Sequence, residues 1–120
     1  MDFNGPHHTV KSWTFLFQPI FDGRKTHDLR KDDRTYRVGD RLVLREYDMA
    51  KGTYTGREAL AGITFITNAT TPCALSSNAL AKDHAILSIK LLAKVTNVSA
   101  DGAWPQDYIR IVDTDVTLPD

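Results

Sequence analysis

The sequence predicts a small α+β or barrel-like domain of five or six short strands with one helix. Three observations lead there. Short apolar and β-branched runs recur along the chain, punctuated by Gly, Pro, Asp and Asn. One stretch, Trp13 to Phe21, is aromatic-rich and closes on Gly23, the pattern of a short helix with glycine beyond its last turn. The chain has 120 residues, 42% hydrophobic and 25% charged, which suits one domain with a single core.

The elements follow in order. His8-Thr9-Val10-Lys11 reads as a first strand, and Ser12 as the N-cap of the helix behind it. Trp13, Phe15, Leu16, Phe17, Ile20 and Phe21 are expected in the core, with Pro19 either in a first turn starting near Phe17 or at a kink. Lys25 to Lys31 reads as a two-faced strand, Thr26, Asp28 and Arg30 on one side and Lys25, His27, Leu29 and Lys31 on the other. Val38-Gly39-Asp40 is a turn, and Arg41 to Asp48 is the clearest strand. Ala50 to Thr53 closes a hairpin into a long strand, Arg57 to Thr67, with Ala61-Gly62 marking a bulge or a close approach. Residues 68–83 read as a loop with at most one helical turn, His84 to Leu92 as a buried strand, and Tyr108 to Val112 as an edge strand before an acidic end.

Composition narrows function. No apolar run approaches the roughly 20 residues of a membrane helix, so no membrane partner is expected. The first residues lack a basic stretch followed by an apolar one, and Cys73 is alone, which together point to a cytoplasmic protein without disulfides. Net charge is zero, yet residues 24–45 carry eight basic side chains against four acidic, while residues 101–120 carry five Asp against Arg110. A basic part with an acidic tail is the asymmetry of a polyanion binder, and the tail is a candidate surface for a protein partner.

The densest chemistry lies in Gly23-Arg24-Lys25-Thr26-His27-Asp28-Leu29-Arg30-Lys31 and the following Asp32-Asp33-Arg34-Thr35-Tyr36-Arg37. Burying such residues is costly unless they are paired, so either a ligand or a local ion-pair set takes these charges. Phosphate-binding glycine loops, zinc-protease and nucleophile-elbow motifs are absent. His7 and His8 near the terminus form no metal pattern, and no cofactor or metal is expected. Cys73 lacks a basic neighbour in sequence and reads as a spectator.

The run from His8 to Thr67 resembles the ASCH domains of the PUA-like superfamily, closest to a small bacterial and phage branch of unknown function. The likeness rests on His8 to Lys11, Phe21-Asp22-Gly23-Arg24-Lys25-Thr26 through Lys31, Asp33 through Asp48, Tyr54-Thr55-Gly56-Arg57, and Ala85 to Lys90 as closing strand. It spans residues 8–92 and leaves 93–120 as an extension. The resemblance implies a single α+β domain, a PUA-like small β-barrel made of a bent, mostly antiparallel sheet of five or six strands with one or two short helices, whose cleft, rimmed by the Gly-x-Lys-Thr segment, meets RNA or a nucleotide. Lys25, Arg30, Lys31 and Arg34 would then neutralise phosphates. Tyr36, Tyr47 or Tyr54 would stack on an unpaired base, with Thr26 at the rim and Asp28 reading a base edge or orienting Arg30. The resemblance also carries an enzymatic alternative, an amidohydrolase acting on acetylcytidine, in which Lys25 would work with a threonine three residues on and a distal glutamate. Here that threonine position is Asp28, and residues 68–83 hold no glutamate, so Lys25, Thr26 and Asp28 are what remains of that site. The expectation is therefore a non-catalytic binding module.

Overall fold

Strand β1 (His7–Trp13) leads directly into α1 (Thr14–Phe21), followed by β2 (His27–Lys31), β3 (Arg41–Asp48), β4 (Thr53–Asn68), β5 (His84–Val95) and the short β6 (Ile109–Arg110). The structure is a computed structural model that describes residues 2–71, 79–112 and 118–119. The strands form one curled sheet in the order β1-β3-β4-β5-β2, with β6 added to β5. Among the described residues, only β1 and β3 run parallel, and every other pair is antiparallel. The result is a half-barrel carrying one short helix, the α+β architecture that the sequence predicts.

Helix α1 ends for a clear reason. Gly23 takes a positive φ of 80°, its N–H donates to the Ile20 carbonyl, and the Arg24 N–H donates to the Pro19 carbonyl. This pair of bonds is a Schellman closure, which a residue with a Cβ enters only with strain. Its start differs from expectation. Ser12 stays in β1 and is buried, and the N-cap is Trp13, which makes no side-chain cap. Pro19 lies inside the helix, so the Phe15 carbonyl lacks its helical N–H partner. Eight residues give one buried stripe, Phe17, Ile20 and Phe21, leaving Trp13, Phe15 and Leu16 exposed. Those three were expected in the core. A helix this short has no second covered face to hold them.

The sheet is buried on both sides. Leu42, Leu44, Ala61, Ile63 and Leu87 face inward with Phe17 and Ile20 of α1. Val43, Leu60, Leu92 and Val95 face outward, where Trp104 covers them with Phe3, Val98 and Tyr108 packed alongside. Two-sided burial explains why residues 42–44 and 59–63 read as continuous rather than alternating apolar runs. Register slips after Leu60 and after Ile63 on the β4–β5 ladder bend the sheet. Gly62 lies beside them at a close approach. A Cβ there would fall 2.2 Å from the Phe3 ring.

Candidate functional site

Sheet order puts β1 at one edge and β2, with the short β6, at the other, and curling brings β1 and β2 together at a seam. Side chains rather than a backbone ladder span it. The Arg30 Nη2 donates to the Lys11 carbonyl at 3.3 Å, and the Arg34 Nη1 donates to the Thr9 carbonyl at 2.9 Å. Thr9 and Lys11 are two residues apart on β1, so both carbonyls face the same way.

Strand β2 alternates as its sequence predicts. Asp28 and Arg30 turn toward the inner side, while His27, Leu29 and Lys31 are exposed. Asp28 is 5% exposed, and a buried carboxylate requires compensation. The Arg30 Nε donates to its Oδ2. Lys25 precedes the strand, so the alternation does not govern it. Its Nζ donates to the His27 carbonyl at 2.8 Å and lies 3.9 Å from Asp28 Oδ1. The structure therefore puts Lys25 beside Asp28 rather than on the opposite face. It brings Lys25, Asp28 and Arg30 into one cluster.

A cleft of about 190 Å³ opens at this seam, lined by Lys11, Ser12, Trp13, Leu16, Asp28, Leu29 and Arg30. Its rim is apolar, with Trp13 44% and Leu29 55% exposed, and its floor carries an acceptor, Asp28, beside a donor, Arg30.

The same span of chain decides the family. Residues 7–89, from the start of β1 into β5, match a domain of unknown function, DUF3850. The chain belongs to the DUF3850 family. All seven residues lining the seam cleft fall within the matched DUF3850 region, and the C-terminal part bearing Trp104 and β6 falls outside it. A protein of Escherichia phage P2, described as an uncharacterized 12.9 kDa protein in the GpA 3′ region, is 39% identical over 61 residues. That match covers 51% of this chain and 54% of the phage protein, so the chain spans about half the length of the curated relative it matches. Both findings fit a small phage and bacterial branch of unknown function. Among the described residues, no helix is long and apolar enough to cross a membrane.

The remaining residues singled out from sequence are dispersed. Thr26 is exposed, and its carbonyl accepts the Ile89 N–H at 2.9 Å. Lys31 is exposed on the outer side of β2. Tyr36 is buried in the inner core, its ring edge-on to His8 at 4.9 Å. Its hydroxyl has no hydrogen-bond partner among the described residues, and burial raises its pKa. Tyr47 lies on the outer side under the Lys11 ammonium, 4.1 Å from the ring centroid, and edge-on to Tyr54 at 5.0 Å. Cys73 and three aspartates of the acidic tail, Asp113, Asp115 and Asp120, lie outside the described residues. No cluster of three or more metal-ligating side chains occurs among the described residues.

Two features escaped the sequence reading. Trp13 and Leu29 form the cleft rim, and Leu29 had a signal: it is the one apolar residue on a face shared with His27 and Lys31. The other is a buried ion pair. Glu46, 3% exposed, accepts from Arg57 Nε at 2.8 Å, Arg57 Nη2 at 2.8 Å and the Thr55 hydroxyl at 2.6 Å. The Arg57 guanidinium holds the Glu46 carboxyl below the usual range. Arg57 also donates to Gln18 of α1 at 2.6 Å, which ties the helix to the hairpin.

Proposed function

We propose that this chain is an ASCH-type, PUA-like module that binds RNA or a nucleotide-like ligand in the seam cleft without transforming it. The observation that carries the reading is the acceptor–donor floor formed by Asp28 and Arg30 beneath an exposed tryptophan. Arg30 commits its Nε to Asp28 and its Nη2 to Lys11, and a guanidinium has five N–H donors. Asp28 Oδ1 faces Lys25 beyond hydrogen-bond reach and keeps open lone pairs. An acceptor beside a donor is what the edge of a nucleobase pairs with, and an aromatic rim is what an unpaired base stacks on. Lys25 beside Asp28 and Arg34 on the Thr9 carbonyl add positive charge along the seam, and Lys31 adds more on the exposed face of β2, which favours a phosphate-bearing ligand.

Catalysis by the lysine–hydroxyl route has less support. Asp28 is engaged by Arg30, and Thr26 is exposed outside the cleft lining. Binding to single-stranded RNA, followed by fluorescence anisotropy across a salt series, tests the reading. The Lys25→Ala/Arg30→Ala double variant is expected to bind at least tenfold more weakly. Its salt slope should fall by about 0.7, the value for one phosphate contact on a single strand, because Lys25 meets a phosphate and Arg30 a base edge. Circular dichroism would establish that the variant is folded, because Arg30 also holds Lys11. Unchanged affinity in a folded double variant would refute the assignment.

A further inference from the structure

The register of the sheet sets two rows of side chains side by side on the outer surface of β1, β3 and β4. Trp13 pairs with Tyr47 and Tyr47 with Tyr54; Lys11 pairs with Arg45 and Arg45 with Glu58. One row is aromatic and the other is charged. The aromatic row begins at the seam, where Trp13 and Lys11 line the cleft. It ends at a second cleft of about 320 Å³ between the β3–β4 hairpin and residues 98–100, where Tyr54, Arg45 and Gly56 contribute to the wall. Three strands at about 4.8 Å spacing put some 10 Å between Trp13 and Tyr54.

The cations of the charged row are already set over the rings of the aromatic one. The Arg45 guanidinium sits 3.8 Å from the Tyr54 centroid and the Lys11 ammonium 4.1 Å from that of Tyr47. Tyr54 is nonetheless 42% exposed. In the second cleft Arg45 is paired with Glu58 at 3.2 Å and Arg57 with Glu46 at 2.8 Å. The cleft walls are therefore charge-balanced, which suits the polar edge of a base better than a phosphate. Lys11, between the two clefts, supplies positive charge where a linking phosphate would pass. Aromatic platforms joined by cations are the means by which proteins hold single strands.

We infer that the ligand is a single-stranded oligonucleotide: one base enters the seam cleft, and the strand continues over Lys11 to stack a neighbouring base at Tyr54. The inference rests on the binding reading above and narrows it from RNA or a nucleotide-like ligand to a single strand that engages both clefts. The test compares a nucleoside monophosphate, a mixed-sequence single-stranded RNA hexamer and a hexamer duplex, titrated against the wild-type chain, Tyr54→Ala and Tyr54→Leu. The hexamer is expected to bind at least tenfold more tightly than the monophosphate. Both Tyr54 variants should lose that gain while binding the monophosphate as wild type does, and the duplex should bind more weakly than the single strand. Equal affinity for monophosphate and hexamer would overturn the inference and leave the seam site standing. A length gain untouched in both Tyr54 variants, or a duplex bound as tightly as the single strand, would overturn it as well. Failure of every ligand to bind would instead overturn the binding reading itself, and this inference with it.

Discussion

Glu46 shows how a single side chain can tie a short helix to a sheet. Its carboxylate is buried and takes three hydrogen bonds from Arg57 and Thr55, and Arg57 in turn reaches Gln18. Removing one member of a buried pair leaves the other uncompensated. Glu46→Gln is therefore expected to lose about 2 kcal/mol at neutral pH. Because folding lowers the Glu46 pKa below its ordinary value of 4.5, the stabilisation is complete above that value. It is lost as pH falls through the lower, folded-state value. Urea unfolding of both proteins checks this: the gap should be wide near neutrality and narrow as the solution is acidified below the glutamate range. An equal gap at all pH values would contradict the account.

At the scale of elements, the excess of arginine near Gly23 has a structural use that its sequence does not announce. Arg30 and Arg34 cap the β1 edge by donating to the Lys11 and Thr9 carbonyls, which blunts an edge strand that would otherwise offer open acceptors. Arg34→Ala should loosen β1 while leaving β4 and β5 as they are. Amide hydrogen exchange across β1 is expected to rise about fivefold, the equivalent of roughly 1 kcal/mol for one such bond. Unchanged β1 exchange would show that the bond holds nothing. The strands themselves were legible, because Arg41 to Asp48 and Arg57 to Thr67 are long β-prone runs bounded by turn residues. The site was less so. Lys25 was assigned to the face opposite Asp28 by strict alternation, yet β2 begins only at His27, and a lysine in the preceding loop can turn either way. Trp13 was counted with the core because aromatic clusters usually pack, but an eight-residue helix covers one stripe. The Tyr47–Tyr54 pairing depends on a hairpin register that shifts between Arg45 and Tyr47, and no local pattern encodes that shift.

Across the whole molecule, the matched DUF3850 region supplies both edges of the seam, and the C-terminal residues supply the cover of the opposite face. Trp104 packs on Val43 and Leu60, and its Nε1 donates to Glu58 Oε1 at 3.0 Å. Glu58 also takes Arg45, so this cover is linked through one carboxylate to the outer aromatic row. The division leaves the seam open and places its donor, acceptor and stacking groups within one cleft. Titration of the isotope-labelled chain with a single-stranded RNA hexamer, followed by NMR, tests that arrangement most directly. Saturable shifts are predicted at Ser12, the Trp13 indole, Asp28 and Leu29, extending to Tyr54. Absence of saturable shifts at the seam, or shifts confined to the residues around Trp104, would contradict it.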